Sequence, residues 1–266
     1  MRLAKQQIVR QFSRAAGTYD LAAQLQNQVA EKLIDSIPAQ LHGVVVDLGC
    51  GTGWALEKIA LLGRPNNRFE LTAVDIAPGM IEVAQARVAS AKFHCCDLEK
   101  TPLADHIADL VFTSSSIQWC DTAAAMQEIK RISKPGGLLL ASTFGPGTFT
   151  ELRSAWLSAG DRQSRVHDFD SCETIETIMR QQGFKDVTLG SEIHQVEFNS
   201  VDELLQSIKQ IGATNASATR QPGLLGTQRY REFRSVLEQR LASDGKLSLA
   251  FEAIFVSARI GEKKVA

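Results

Sequence analysis

"VVVDLGCGTGW", Val44 to Trp54, is the stretch whose reading decides the fold. Three bulky apolar residues running into Asp47 and Leu48 read as a buried strand of a parallel sheet, because such strands are covered on both faces. Gly49, Gly51 and Gly53 then form its exit turn. Giving up three side chains in five positions lets the backbone bend sharply and lets a ligand come close to it. Free backbone donors point outward at a helix N-terminus, so the approaching group is expected to be the anionic or polar part of a nucleotide-like cofactor.

Working outward, short apolar runs alternate with helical stretches. Trp54–Leu62, Gly79–Val88 and Thr122–Ile132 read as helices; Glu70–Asp75, Lys92–Cys96, Leu110–Thr113 and Leu138–Phe144 read as strands. This alternation is the βαβ signature of an open, doubly wound α/β sheet with helices on both faces. Lys134, Pro135, Gly136 and Gly137 read as a plain turn. Upstream, Lys5 to Ile37 reads as two helices separated at Gly17. Downstream, Thr150–Ala159 and Cys172–Gln182 are expected as helices, and Phe184–Leu189 and His194–Phe198 as strand material. Ser200 to Glu203, "SVDE", is a capping box opening a helix that carries Leu204, Leu205, Ile208 and Ile211 and stops at Gly212. Gly212 to Gly226 is small, polar and Gly/Pro-punctuated, which predicts a mobile loop; a helix over Thr227–Leu241 and a closing strand, "LSLAFEAIFVSARI", follow.

The composition excludes several classes. At 266 residues and 44% hydrophobic, the chain fits one large α/β domain or a domain with an insertion. No apolar stretch is long enough for a membrane span and the first residues lack a secretory apolar core, so a cytoplasmic protein without membrane association is expected. Five cysteines make no CxxC pair and five histidines no HxxxH or HExxH spacing, so neither disulfides nor a metal are expected. His94 to Asp97, "HCCD", does not change this, since alternate strand residues face opposite ways. A dinucleotide fingerprint needs glycine where Trp54 stands, which disfavours NAD, and no GxxxxGK[ST] spacing follows the strand, which excludes ATP by that route.

"DLGCGTG" resembles the first motif of class I S-adenosylmethionine-dependent methyltransferases, and the resemblance continues in order. It implies a cofactor site made of Asp47, Gly49, Gly51 and Gly53, with Asp75 of "LTAVDIAPGM" gripping the ribose hydroxyls and Ile76 and Met80 beside it. Asp97 and Leu98 of "HCCDLEKTP" stand where the family binds adenine, and Ser114 of "ADLVFTSSSIQW" where it binds the methionine moiety. Arg14 is a candidate for the methionine carboxylate.

"FSRAAGTYDLAAQLQ" (Phe12 to Gln26), "SIQWC" (Ser116 to Cys120), "IKQIGAT" (Ile208 to Thr214) and the terminal strand further resemble the malonyl-[acyl-carrier protein] O-methyltransferase family, over essentially the whole chain. That resemblance implies methylation of the free carboxylate of a malonyl thioester, which masks its charge so that it enters the pimeloyl part of biotin synthesis, with S-adenosylhomocysteine as co-product. The partner is a malonyl-acyl carrier protein or malonyl-CoA. It also implies one Rossmann-like domain with a seven-stranded sheet whose last strand is antiparallel. Residues 1–40 are expected as an N-terminal helical cap, 43–199 as the core, 200–246 as a helical lid insert and 247–260 as the final strand. The chemistry needs no general base, because a malonyl carboxylate is already ionised at neutral pH.

Tyr19, Gln118 and Trp119 are the candidates for the acceptor pocket, with His167, Asp168 and Phe169 near its mouth. Lys209 and Arg220 are candidates for the malonyl carboxylate or the carrier's phosphate. Leu204 to Arg240 holds six basic residues (Lys209, Arg220, Arg229, Arg231, Arg234, Arg240) against Glu232 and Glu238, in a chain of net charge −1. A local basic face suits an acidic carrier protein, whereas the balanced whole argues against nucleic acid. The alternatives are a methyltransferase acting on a free small acid, such as an aconitate-like one, a cofactor-binding subunit without turnover and, more weakly, a nucleic-acid methyltransferase, for which no [DN]PP[YFW] motif follows the fourth strand.

Overall fold

The computed structural model describes residues 5–62, 69–161, 166–210 and 227–261. Its centre is a seven-stranded sheet: β1 (Gly43–Leu48), β2 (Phe69–Asp75), β3 (Lys92–Cys95), β4 (Ala108–Ser114), β5 (Ser133–Phe144), β6 (Phe184–Phe198) and β7 (Leu247–Ile260). The order across the sheet is β3-β2-β1-β4-β5-β7-β6. β1 lies between β2 and β4, both parallel to it, and β7 is antiparallel to both β5 and β6. The strand order therefore reverses beside β1, so the glycine turn opens at the switch point, where ligands of open α/β sheets sit.

Helices α1 (Lys5–Ala15), α2 (Tyr19–Ala22) and α3 (Gln24–Ile34) precede the sheet, and α4 (Trp54–Leu62), α5 (Pro78–Arg87), α6 (Thr122–Ile132), α7 (Thr150–Ser158) and α8 (Cys172–Gln181) follow within it. Alternate residues of the strands bury on opposite faces. Val45, Leu71, Ala73, Leu110 and Phe112 pack with Leu33, Leu56, Ile59 and Ile81 of α3, α4 and α5. Val46, Leu48, Val74, Val111 and Leu139 pack with Met126, Ile129, Ile175 and Met179 of α6 and α8. Three layers result.

A further core forms at the end of the last strands. Phe198, Leu249 and Phe251 meet Leu152, Ala155 and Trp156 of α7 together with Leu204 and Ile208 of α9 (Val201–Gln210) and Phe233 and Leu237 of α10 (Thr227–Asp244). Trp156 and Phe233 stack at 3.9 Å and 8°. The "SVDE" box forms as expected at one end: Glu203 N donates to Ser200 Oγ at 3.1 Å, and the Glu203 carboxylate accepts from Asn199 N at 2.8 Å. The expected loop Gly212–Gly226 and helix stop lie outside the described residues.

Three local expectations are corrected. The N-terminal segment makes three helices, because the chain breaks again at Ala23. β6 is one strand of 15 residues, since pairing with β7 carries it through Gly190 and Ser191. Lys134 to Gly137 lie inside β5 as an irregularity: the β4 register jumps between Ala108 and Leu110, with Gly136 at φ 76.

Candidate active site

Two adjoining cavities open at the carboxyl ends of β1, β2 and β4. The larger, of about 970 Å³, is lined by Asp47, Gly49 and Gly51, by Asp75, Ile76 and Met80, by Asp97 and Leu98, and by Ser114. These are eight residues beyond Asp47 that the sequence nominated, drawn from four separate strand ends.

The glycine turn shows why it has no side chains. A Cβ on Gly49 (φ 77) would lie 2.2 Å from Ser116 Oγ, which donates to the Gly49 carbonyl at 3.1 Å. A Cβ on Gly51 (φ 53) would meet no atom within 4 Å; it would project into space where Gly51 lines the cavity. One glycine is demanded by the protein and the other leaves room for a ligand. Gly53 (φ 78) is likewise demanded by the protein: a Cβ there would lie 3.0 Å from that of Ala84 in α5, so it is a packing residue.

Asp75 locks the turn. Its carboxylate accepts from Gly51 N at 2.9 Å and from Ala77 N at 2.8 Å. Burial nevertheless holds its pKa above the usual carboxylate range against those donors. Asp47 is more extreme. It is 2% exposed, its Oδ2 has no hydrogen-bond partner among the described residues, and burial, with the Asp75 charge adding to it, pushes its pKa up to about 8. An unpaired buried carboxylate on a cavity wall invites a cationic or hydrogen-bond-donating ligand group.

The N-terminal helices close the larger cavity from outside. Lys5, Ile8 and Phe12 of α1 line it, and α1 rests on α5 so closely that a Cβ on Gly79 would meet the Ser13 carbonyl at 2.7 Å. Lys5 bridges Asp97 at 2.8 Å and Glu99 at 2.5 Å. Thr52 donates to Asp20 at 2.6 Å, and Arg87 binds the same carboxylate at 2.5 Å, tying α2 to the glycine turn. Lys5 was not nominated from sequence; Ile8, Phe12 and Ala16, at helical spacing in the same segment, point only to packing.

The smaller cavity, of about 390 Å³, shares Tyr19, Gln26, Ser115 and Trp119 with the larger one and adds Gln118, Phe144, Phe149, His167, Phe169 and Phe251. Tyr19, Gln118 and Trp119 thus come together as nominated, with His167 and Phe169. Burial, then the charges of Asp75 and Asp20, raise the Tyr19 pKa, so its phenol stays protonated. Gln118 is engaged at both ends: Nε2 donates to the Ser115 carbonyl at 2.7 Å and Oε1 accepts from Thr143 at 3.3 Å. The aromatic walls Phe144, Phe149 and Phe251 escaped sequence reading, because nothing local marks a core phenylalanine as a pocket residue.

Other nominated residues lie elsewhere. Arg14 is exposed at the end of α1 and is not part of the cavity wall. Asp168 is exposed and pairs with Arg153 at 3.1 Å. Arg220 and the Lys209 side chain lie outside the described residues. Within the basic segment, Arg234 pairs with Asp202 at 2.7 Å, and Arg240 donates to the Glu151 carbonyl at 3.0 Å and to Ser154 at 2.9 Å. Arg229 and Arg231 are exposed. The expected +4 face is therefore partly spent on internal pairs.

The family described as a methyltransferase domain matches residues 46–141, the run from β1 into β5 whose strand ends bear the larger cavity. A malonyl-[acyl-carrier protein] O-methyltransferase of Herminiimonas arsenicoxydans is 37% identical over 247 residues, covering 93% of each chain. That of Serratia marcescens is 36% identical, covering 94% of each. The chain belongs to the malonyl-[acyl-carrier protein] O-methyltransferase family. It is also 34% identical to the biotin biosynthesis bifunctional protein BioHC of Cellvibrio japonicus, matching 95% of this chain but spanning about half (49%) of that longer relative. Among solved structures, the YcgJ protein of Bacillus subtilis superimposes with a TM-score of 0.59 at 16% identity, covering 88% of this chain and 99% of that one. Phosphoethanolamine N-methyltransferase 2 of Haemonchus contortus, in complex with S-adenosyl-L-methionine, gives 0.56 at 22%, covering 89% and 53%. Both share the class I methyltransferase fold with this member of the O-methyltransferase family. None of its described helices is long and apolar enough to cross a membrane.

Proposed function

We propose that the protein transfers a methyl group from S-adenosylmethionine to the free carboxylate of malonyl-[acyl-carrier protein], forming the methyl ester that starts pimeloyl assembly for biotin and releasing S-adenosylhomocysteine. The observation that carries this reading is the junction of two unlike cavities. One is walled by backbone amides and acids, and the other by aromatic rings with no carboxylate or lysine among its described residues.

The larger cavity fits the cofactor's chemistry. The orphaned Asp47 carboxylate suits an ammonium, Asp75 retains acceptor capacity for ribose hydroxyls, and the space over Gly51 admits a close ligand. Ile76, Met80, Leu98 and Ser114 complete the wall together with Asp97, which pairs with Lys5. When bound, S-adenosylmethionine supplies a methyl on a sulfonium, which an ionised carboxylate accepts without prior loss of a proton.

The residues of the smaller cavity then bind, orient and exclude water. Phe144, Phe149, Phe169 and Phe251 form a dry wall, in which opposite charges that cancel during transfer are least well solvated apart. Alignment supplies most of the acceleration. Helices α9 and α10 act as the lid: α9 packs on α2, whose Tyr19 lines both cavities. The exposed Arg229 and Arg231 face the acidic carrier.

Incubation of malonyl carrier protein with the enzyme and S-adenosylmethionine, followed by mass spectrometry, tests the reading. One added methyl group, removable by an esterase, is the expected result. Malonyl-CoA and free dicarboxylic acids run beside it distinguish the carrier from the thioester and from a small acid. Methylation of the free acids alone would overturn the carrier reading.

A further inference from the structure

Two residues that line the smaller cavity each carry a buried polar side-chain atom that the fold leaves unused. Ser115 Oγ and His167 Nδ1 are sealed from solvent and have no hydrogen-bond partner among the described residues. Both residues line the smaller cavity, and Ser115 lines the larger one too. A buried polar atom without a partner is costly, and native structures keep few of them without a use.

One residue, through its side chain and its backbone carbonyl, fixes both. Gln118 Nε2 donates to the Ser115 carbonyl at 2.7 Å, while the Gln118 backbone carbonyl contacts His167 Nε2 at 2.8 Å. A carbonyl only accepts, so Nε2 carries the hydrogen and Nδ1 is the free position of the ring. Trp119 stacks on the imidazole at 5.7 Å and Phe169 meets it edge-on at 4.9 Å, which holds the ring's plane. Ser115 sits at φ 53, a region few non-glycine residues adopt and one that is retained at functional sites.

Resting on the malonyl reading above, we propose that Ser115 and His167 form the carboxylate cradle. The Ser115 hydroxyl and an Nδ1–H of His167 donate to the malonyl oxygen that does not attack, and Gln118 is the positioning residue that sets them. Placing the donors on that oxygen spares the attacking one, whose ground state a direct ion pair would hold too tightly.

The cradle is sensitive to charge. Burial lowers the His167 pKa below its ordinary value, against the hydrogen bond to Gln118 and the charges of Asp168 and Asp170 on its own segment; Arg153 of α7 opposes the proton. Arg153 also donates to the His167 carbonyl and pairs with Asp168, and the neutral Tyr19 of α2 lines the same cavity. The ring is thus neutral in the free site and takes up a proton with the carboxylate. Methyl transfer removes the anion, the proton leaves, and the ester loses its grip. Substrate is held and product is not.

His167→Gln tests this, because a glutamine amide keeps a donor for the Gln118 carbonyl and deletes Nδ1. We expect KM for malonyl carrier protein to rise about tenfold or more, with S-adenosylhomocysteine affinity unchanged by calorimetry. Wild-type kcat/KM should fall as pH rises from about 5 to 8, and the variant should lose that slope. Ser115→Ala should raise KM several-fold and keep the slope. The enzyme's preference for malonyl carrier protein over its methyl ester in binding to the S-adenosylhomocysteine complex should shrink toward one in His167→Gln. A variant with intact S-adenosylhomocysteine affinity and wild-type KM overturns the cradle. So does a flat wild-type pH profile, which needs no variant to fold. If wild-type protein methylates no malonyl thioester at all, the functional reading falls, and this proposal with it.

Discussion

The two cavities share Tyr19, Gln26, Ser115 and Trp119 but are built by different means. The larger is made of the chain's own turns: glycines at positive φ, and a carboxylate, Asp75, held by the amides of Gly51 and Ala77. Its polar groups are fixed by the sheet before any ligand arrives. The smaller is made of side chains from α2, α3, the loops after β4 and β5, β7 and the segment around His167. The difference teaches that the larger cavity is fixed by backbone geometry, whereas the smaller is shaped by side chains, where exchange of one ring alters shape without unsettling the sheet.

The comparison breaks most visibly at Asp75. Asp75→Ala removes the acceptor for two turn amides and for the ribose, and is expected to weaken S-adenosylhomocysteine binding by about a hundredfold. Calorimetry should show this while urea unfolding stays cooperative. A loss below about threefold would mean that the turn does not depend on the carboxylate, and the backbone account of the larger cavity would fail.

Asp47 sharpens it through pH. Its folded pKa, pushed up to about 8, lies far above the ordinary carboxyl value of 3.8, so the folded state holds the proton more tightly than the unfolded chain does. The stability that this contributes is fully present below the unfolded value and is lost as pH rises through about 8. Cofactor-free protein should therefore lose roughly 2–5 kcal/mol between pH 4 and 8 relative to Asp47→Asn. Urea unfolding of both proteins across that range measures it; a wild type that gains on the variant as pH rises would show that ionised Asp47 already has a partner.

The smallest expected effect lies outside both cavities. Exchanging Arg229 and Arg231 for glutamate should lower kcat/KM for malonyl carrier protein about three- to tenfold at low salt and leave S-adenosylhomocysteine affinity alone. Arg234→Glu should act chiefly on stability, because its guanidinium is already paired with Asp202. Equal effects of all three on carrier kinetics would return the basic segment to a single docking face.

These contrasts follow what was legible in the chain. The strand Val44–Leu48, the glycine turn and the acids at 75 and 97 were readable because each rests on a local rule: buried strands are apolar throughout, and φ values of 77, 53 and 78 at 49, 51 and 53 favour glycine. The break at Ala23 and the unbroken β6 were not, since the one is set by packing of α2 and α3 and the other by pairing with β7. Arg14 was nominated by charge type, which is visible in a sequence; the direction in which α1 presents it, exposed at the helix end, is not.

By itself the sequence determined a doubly wound sheet, the place of its switch point and most residues lining the larger cavity at the strand ends, because backbone conformation depends on neighbours only a few positions away. Tertiary structure alone decided that Lys5 closes the larger cavity over Asp97, that three distant phenylalanines wall the smaller one, and that Gln118 turns inward to bind Ser115. Those contacts join residues tens to more than a hundred positions apart or depend on the rotamer of a packed side chain, and such arrangements exist only once the core has closed.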